Sequence, residues 1–406
     1  MYVAPHVGKC RLGGIAILHF KGIGVVLLLS SKLAAVPAAA ATIAPTKFVD
    51  YRNVSVSKFG TKCDGVSDDT NAIRAAASAV PTEGAVLHFP KGRCVIHGTI
   101  YLKSHTQVRG ERTTLLAATP WKPDYETGYA LLENVHHYPG GVRDTDISVN
   151  GMTFDYGDFG PVAVPKGGKH AVRFEFADDI SISNNVFQLH GAEDAVAGLG
   201  VTKLRLHGNS AFEFRNCAYD FWYGPSKVTI TGNLAETTVS SQMINFNPEQ
   251  TDGEGGDNVA MGLVMSDNTL TVTGPNAVPV QIEPLGVQTS VRDVAVSGNK
   301  LRNVYLVLRG DVRRATIRDN TITDVEGGAP AFEAYPLHGG TPDTVNFSDN
   351  VIVDPHTQSD QFGVVRLEAL NSLATGNSIT GRNYHSAAIY HGDFSVLERS
   401  NAVSPE

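Results

Sequence analysis

The sequence predicts an all-β chain wound as a parallel β-solenoid, with one α-helix covering its first coil. An alternating strand that ends in a small or polar residue followed by Asn recurs through most of the 406-residue chain. Only one segment, near the start, has strong helical periodicity. Apolar residues make up 42% of the chain and charged residues 18%, which is enough to fill a continuous core and argues against global disorder.

The first 42 residues differ from the rest and predict a secretory signal peptide. Lys9, Arg11 and Lys21 precede the apolar run GIGVVLLLSS, and small residues follow in KLAAVPAAAATIA. The uninterrupted apolar run is only about ten residues long, which is too short for a membrane-spanning helix. We expect cleavage near Ala40–Thr42, a secreted or periplasmic protein, and one domain over residues 43–406. An uncleaved membrane anchor is the alternative.

The segment SDDTNAIRAAASAVP predicts the covering helix. Asp68 or Asp69 can cap its N-terminus. Ile73 and Ala76 fall on one face at helical spacing, and Pro81 ends the helix. A solenoid needs such an element, because its first coil would otherwise expose apolar core and unpaired strand edges.

The recurring asparagine marks one turn of each coil. Its spacing of 21 to 35 residues fits coils that stack about 4.8 Å apart in a parallel solenoid. Asn suits a left-handed or tightly bent backbone, and its amide can bond to the next coil and form a ladder. An earlier motif, DISVNGMTF, carries Asn150. The later positions are Asn185, Asn209, Asn233, Asn268, Asn299, Asn320, Asn350 and Asn377.

The stretch FGTKCDGVSDDTNAIRAAASA, with the following GAVLHFPKGRCVI and TIYLKSHTQVRGE, resembles the pectate-lyase-3 superfamily of rhamnogalacturonase-like and epimerase-like proteins. The D-G-x-x-D-D-T pattern, the F-P-x-G pair and the closing V-R-G-E carry this resemblance. It covers residues 46–115 closely and the remainder as repeated coils. The resemblance implies a right-handed parallel β-helix. The group contains hydrolases, lyases, epimerases and phage tailspikes.

Three cysteines, Cys63, Cys94 and Cys217, follow the leader. In an oxidising compartment Cys63 and Cys94 could form a disulfide, whereas all three could equally be reduced core residues. Relatives in the resembled superfamily usually carry Gly and Tyr at the positions of Cys63 and Cys94. This paired departure favours the disulfide.

The strand before each asparagine strand supplies a candidate substrate-binding groove. The residues assigned to the core are Val172, Val196, Trp222, Ile244, Ile282, Leu306, Phe332, Val365 and Ile389. Their outward neighbours are polar, charged or aromatic, and suit anions and sugar faces. The alternative is a solvated sheet face whose charges pair along the coils. The predicted binding residues are Arg173, Tyr223, Asn245, Arg309, Arg366, Glu368 and Tyr390.

Two carboxylate sets compete for the catalytic role. Glu283 and Glu333 are expected two coils apart with Arg309 between them, at a backbone separation of about 9–10 Å. Long side chains can narrow this to the about 6.5–9.5 Å between the carboxyl groups of an inverting pair. The other set is Glu193, Asp194 and Asp220 on neighbouring coils. The G-A-E-D string that ends at Asp194 is similar to the G-D-D of polygalacturonase-type hydrolases of family 28. That resemblance implies Asp194 as the acid, although the family's later G-H-G and R-x-K strings are missing.

The chain is therefore predicted to be a secreted glycoside hydrolase that acts on an acidic, uronate-containing polysaccharide. A polysaccharide lyase or a uronate epimerase is the enzymatic alternative. A glycan-binding adhesin or tailspike-like protein is the non-catalytic one. The net charge of −8 without a basic run argues against a nucleic-acid partner. No membrane partner is expected after signal cleavage, and the oligomeric state stays open.

No metal site and no cofactor are predicted, with one segment left open for calcium. The segment TDGEGGDN, residues 251–258, contains Asp252, Glu254 and Asp257, which carry the oxygen ligands that calcium prefers. Its spacing departs from a strict calcium loop, so a solvated loop is favoured. Zinc, phosphate-loop and dinucleotide motifs are absent from the sequence.

Overall fold

The computed structural model describes residues 52–121, 129–137, 141–164, 168–249, 259–285, 289–355, 363–381 and 388–405. The predicted leader and the calcium-type segment lie outside these residues. Within them the chain forms the predicted right-handed parallel β-helix, with one α-helix at its start. None of the helices in these ranges combines the length and the apolar character that crossing a membrane requires.

The covering helix, α1, spans Thr70–Ser78 as the sequence predicts. Ile73 and Ala76 are fully buried on its inner face. Asp69 is the N-cap residue, but its carboxylate bonds to backbone N–H groups of the preceding turn. Asp68 instead accepts a hydrogen bond of 2.9 Å from the first N–H of the helix. Two short 3₁₀ helices span Val56–Phe59 and Gly157–Phe159.

Cys63 and Cys94 form a disulfide, which confirms the pairing that the resemblance favours. The bridge joins the turn before α1 to the strand Gly92–Ile96, so it ties the covering helix to the first coils. Position 92, beside the disulfide, has room only for glycine. A Cβ atom at Gly92 would lie 2.3 Å from the carbonyl oxygen of Cys63.

One sheet receives a single strand from each of eleven successive coils in the described residues, and every strand pairs in parallel with the next. Its strands are Ile100–Leu102, Leu132–Asn134, His170–Glu175, Asp194–Leu199, Cys217–Trp222, Ile244–Asn247, Val278–Ile282, Val304–Arg309, Phe332–Tyr335, Val365–Leu367 and Ile389–Tyr390. Alternate side chains of these strands point inward and form the core.

The other sheet follows the remaining turns of the coils and contains 24 strands in the described residues. Its strands are Arg52–Ser55, Asp64–Asp68, Ala85–Phe89, Gly92–Ile96, Thr106–Ala117, Thr145–Asp155, Asp178–Ser183, Val186–Gln188, Thr202–His207, Ser210–Phe212, Ser226–Thr231, Leu234–Thr237, Val259–Ser266, Thr269–Val272, Ser290–Ser297, Lys300–Arg302, Val312–Arg318, Thr321–Thr323, Asp343–Ser348, Val351–Val353, Ser372–Thr375, Ser378–Gly381, Val396–Arg399 and Ala402–Pro405. Long stretches of both sheets are stacked in register, which places equivalent side chains of successive coils above one another.

The asparagine ladder is confirmed from Asn185 to Asn377, and Asn401 extends it by one member that sequence analysis did not select. Oδ1 of Asn209 accepts hydrogen bonds from the backbone N–H and the side-chain amide of Asn185, at 3.0 and 3.1 Å. The same two bonds repeat at every step from Asn185 to Asn377, and Asn401 accepts the last pair. The eight predicted asparagines are nearly or fully buried, so the ladder satisfies polar groups at the bend of each coil.

Two details of the predicted turn are wrong. Asn150 pairs in register with Ser183, two residues before the ladder position, because its strand continues through the bend. Met152 stands at the ladder position and donates its backbone N–H to Asn185. The left-handed backbone belongs to the residue before each ladder asparagine, as at Gly208 with φ of 63°.

Candidate active site

The outward side of the eleven-stranded sheet carries two rows of side chains. The first row is defined by register-paired positions at Tyr101, Glu133, Arg173, Ala197, Asp220, Asn245, Gln281, Val307, Glu333, Arg366 and Tyr390. The second row lies two residues further along the chain at Glu175, Leu199, Trp222, Asn247, Glu283, Arg309, Tyr335 and Glu368.

Most of the predicted outward residues lie in these rows, but one coil is shifted. Tyr219 takes the core position that the sequence assigned to Trp222, and it pairs with Val196 of the coil before. Trp222 instead points outward and is 37% exposed. Tyr223 lies beyond the strand and stacks on Phe176 at 6.4 Å between ring centroids. Aromatic residues on both faces of this strand hid its alternation in the sequence.

Glu283 and Glu333 do not form the predicted stacked pair, because they stand in different rows. Two coils and two residues separate them, a backbone distance of about 12 Å from strand and sheet spacing. The Glu283 carboxylate is 3.1 Å from Nη1 of Arg309 and 3.1 Å from Nε2 of His338. Burial raises the pKa of Glu333, opposed by the charges of Arg309 and Arg366. This part of the face matches the alternative of charges paired along the coils.

The remaining predicted arginine on this part of the face is also paired. Nε of Arg366, in the first row, donates a hydrogen bond of 2.8 Å to the carboxylate of Glu368 in the second row. Its guanidinium lies 4.1 Å from the centre of the Tyr335 ring. The guanidinium of Arg309 lies 5.6 Å from the centre of the same ring. Tyr335 therefore joins the two arginines into one cluster.

Asp194 and Asp220 do come together, on neighbouring coils. Asp194 begins its strand and is completely buried, and Asp220 is 4% exposed in the first row. One carboxylate oxygen of each residue and the sulfur of Cys217 lie within 4.8 Å of one another. Both aspartates line a pocket of about 210 Å³, which is also lined by His170, Arg173, Glu193 and Trp222.

Each aspartate has a distinct set of partners. Oδ1 of Asp194 accepts hydrogen bonds from the backbone N–H of Cys217 at 2.8 Å and from the amide of Asn216 at 2.9 Å. Oδ1 of Asp220 accepts one from the amide of Asn245 at 2.8 Å. These contacts orient both carboxylates from the strand ends of adjoining coils.

Burial dominates the electrostatics of the pair. It raises the pKa of Asp194 to about 7, against the opposing effect of the hydrogen bonds from Cys217 and Asn216. Burial, and then the negative charge of Asp194, raise the pKa of Asp220 well above its usual range. The pair therefore retains a proton near neutral pH, which is what acid catalysis by a carboxyl group requires.

Around the pocket, the predicted residue Arg173 contacts acidic residues that sequence analysis did not select. Arg173 forms an ion pair with Glu175, and its Nε lies 4.0 Å from Glu133. Burial raises the pKa of Glu133 to about 8. Glu133 belongs to the strand LEN, one coil before Arg173, and that strand was too short to be recognised by alternation. His170 and Cys217 stand in register with Asp194.

Comparison with known proteins agrees with this architecture. Residues 51–251 match the family model described as rhamnogalacturonase A/epimerase, pectate lyase-like. No curated protein matches the sequence.

Solved structures share the fold at low identity. A hyperthermoactive exopolygalacturonase from Thermotoga maritima has a TM-score of 0.59 and 13% identity, over 87% of this chain and 92% of that one. A surface adhesin of Streptococcus pneumoniae has a TM-score of 0.57 and 15% identity, over 87% of this chain and 92% of that one. The A-module of a mannuronan C-5 epimerase from Azotobacter vinelandii has a TM-score of 0.53 and 14% identity, over 87% of this chain and 99% of that one. The family match over residues 51–251 and the β-helix architecture are consistent with the pectate lyase-like superfamily.

Proposed function

We propose that this protein hydrolyses glycosidic bonds in an acidic, uronate-containing polysaccharide, with Asp194 and Asp220 as the acid/base pair. One observation carries the proposal: two buried carboxylates from neighbouring coils meet at an open pocket. Their shared burial keeps a proton between them near neutral pH. The exopolygalacturonase and epimerase among the structures with the same fold support a polysaccharide as the substrate.

The surroundings favour different roles for the two aspartates. Asp194 accepts two hydrogen bonds from the protein, which stabilise its ionised form. The negative charge of Asp194 disfavours ionisation of Asp220. Asp220 is therefore the proton donor to the leaving oxygen, and Asp194 is the carboxylate that activates water or stabilises developing positive charge. This order is the reverse of the one that the resemblance to family 28 implies.

The pocket wall supplies groups that suit an acidic sugar. Trp222 is 37% exposed at the pocket and offers a ring face for stacking. Arg173 brings a positive charge to the same pocket and forms an ion pair with Glu175. A uronate carboxylate near Arg173 would add a charge-assisted hydrogen bond.

The cations nearest the pocket favour hydrolysis over a lyase reaction. A lyase of the predicted kind uses an arginine or lysine as the base. Lys169 is buried, and its Nζ donates to the carbonyl oxygens of Phe159, Gly160 and Val162. Arg173 is engaged with Glu175. A purely adhesive protein gains nothing from burying two interacting carboxylates, which costs desolvation free energy.

We also propose that the protein acts outside the cytoplasm. The signal-type leader over residues 1–42 supports export. The disulfide between Cys63 and Cys94 supports an oxidising compartment, because cytosolic thiols are normally kept reduced.

The test is a panel of acidic and neutral polysaccharides incubated with the purified protein. Each reaction is assayed for new reducing ends and for the ultraviolet absorbance of unsaturated products. Reducing ends without absorbance are expected on a uronate polymer, and they should disappear in Asp220→Asn. Absorbance would instead establish a lyase. If neither reducing ends nor absorbance appears but the protein binds a glycan, it would be an epimerase or a binding protein.

A further inference from the structure

Cys217 stands at the centre of the acidic pair and has no role in the proposed hydrolysis. It begins its strand in direct register with Asp194. Its sulfur lies within 4.8 Å of a carboxylate oxygen of Asp194 and of one of Asp220, and all three residues are buried. Cys217 is a free thiol. Burying two carboxylates beside a thiol costs desolvation free energy, and a bound cation would offset that cost.

A second observation at the same place points to a ligand. Oδ2 of Asp194 and Nδ1 of His170 are both buried, and neither makes a hydrogen bond to the described protein. The two atoms face each other at 2.8 Å. Asp194 is completely buried and His170 is 8% exposed. Buried polar atoms without hydrogen bonds are rare and destabilising, and a cation bound at Oδ2 of Asp194 would satisfy that atom.

The donor atoms select a class of metal ion. Thiolate sulfur with carboxylate oxygen suits Zn²⁺ and the softer Cd²⁺, whereas Ca²⁺ and Mg²⁺ prefer ligand sets made only of oxygen. Oε1 of Gln242 lies 3.5 Å from the Cys217 sulfur and adds an oxygen beside it.

We propose that Asp194, Cys217 and Asp220 form a binding site for a thiophilic divalent cation such as Zn²⁺, and that the bound cation inhibits hydrolysis. Binding would release the thiol proton of Cys217 and the proton held by the two aspartates to solvent. The cation would then occupy the oxygens that the acid/base pair needs. The binding half of the proposal stands by itself, and only the inhibition rests on the proposed function.

The experiment is a titration of the metal-free full chain with Cd²⁺, followed by the ultraviolet charge-transfer absorbance of a cadmium–thiolate bond. We expect one Cd²⁺ per chain with this absorbance, reversed by Zn²⁺ and unaffected by Ca²⁺. Cys217→Ser should remove the absorbance and weaken Cd²⁺ binding about tenfold or more, since even outer-shell changes at metal sites cost about that much. Asp319→Asn, at an exposed position away from the pocket, is the control and should keep both.

The outcomes separate the two proposals. Absence of the absorbance in the unaltered protein at saturating Cd²⁺ overturns the metal site, whatever the variants do. So does absorbance that persists in Cys217→Ser or disappears in Asp319→Asn. Far-ultraviolet circular dichroism and a melting curve establish whether Cys217→Ser is folded. Hydrolysis is assayed separately on chelator-treated protein, so an inactive protein that binds Cd²⁺ would contradict the proposed function alone.

Discussion

Oδ2 of Asp194 lies 2.8 Å from Nδ1 of His170, and both side chains are buried at the pocket. Because burial keeps His170 neutral, the contact does not supply a positive charge that would hold Asp194 ionised. The pKa of Asp194 therefore remains raised to about 7. A carboxyl group that titrates there can exchange protons at physiological pH.

Removing either carboxylate should abolish hydrolysis while leaving the fold intact. We expect Asp194→Asn and Asp220→Asn each to lower kcat by about 100-fold or more, the usual contribution of a general acid or base. The measurement is the rate of reducing-end formation on the best polymer of the panel. Asp319→Asn is the matched control, because Asp319 is exposed and pairs with Arg318 on the outer surface. Activity near the unaltered level in either pocket variant would contradict the proposed pair.

Trp222 should contribute to substrate binding more than to the chemical step. Trp222→Ala removes the exposed ring at the pocket and should raise KM by roughly tenfold, since an aromatic contact contributes about 0.5–1.5 kcal/mol beyond its buried area. We expect kcat to change little and Trp222→Phe to retain most of the affinity. Steady-state kinetics on a soluble oligosaccharide separates the two constants. A loss confined to kcat would argue that Trp222 instead positions Asp220.

Glu133 should make the stability of the protein depend on pH. Its pKa is raised from 4.5 when unfolded to about 8 when folded, chiefly by burial. The stabilisation is therefore complete below pH 4.5 and is lost as the pH rises through about 8. The free energy of unfolding should fall across that window by on the order of a few kcal/mol from this residue.

Glu133→Gln should flatten this part of the pH dependence and make the protein more stable than the unaltered chain at pH 8. Urea midpoints measured from pH 5 to pH 8 test this. The exposed Glu83 provides the control variant, Glu83→Gln. A slope in Glu133→Gln that matches the unaltered protein would show that Glu133 does not cause it.

The asparagine ladder should be far more sensitive to truncation than a similar asparagine outside it. Asn299 accepts from the backbone and side chain of Asn268 and donates to Met265 and Ser297. Asn299→Ala leaves these buried groups unpaired and should cost about 2 kcal/mol or more. Asn150→Ala is the control, because Asn150 is only partly buried. Equal shifts of Tm in the two variants would contradict a specific role of the ladder.

The disulfide should stabilise the covered end of the solenoid. The Cys63–Cys94 bridge closes a loop with a sequence separation of 31 residues that contains α1. Chain-entropy reasoning assigns such a loop about 3–4 kcal/mol. The double variant Cys63→Ser/Cys94→Ser should therefore melt at a lower temperature than the unaltered protein. Adding a reductant should lower the Tm of the unaltered protein and leave the variant unchanged.

The repeat and the covering helix were predictable because their signals are local. Alternation of apolar residues, an asparagine at each bend and helical spacing between Ile73 and Ala76 each depend on neighbours within a few positions. The disulfide needed the resemblance as well, because two cysteine positions do not by themselves determine a pairing.

Which side chains meet across coils depends on the tertiary structure. A change of one residue in strand register exchanges core and surface, as at Tyr219 and Trp222. Glu283 and Glu333 both point outward, but they stand in different rows, which lie two residues apart along each strand. The sequence by itself thus determined the coiled architecture and the candidate carboxylates. Stacking of the coils decided that Asp194, Cys217 and Asp220 converge, because that contact joins residues that only the winding of the chain brings together.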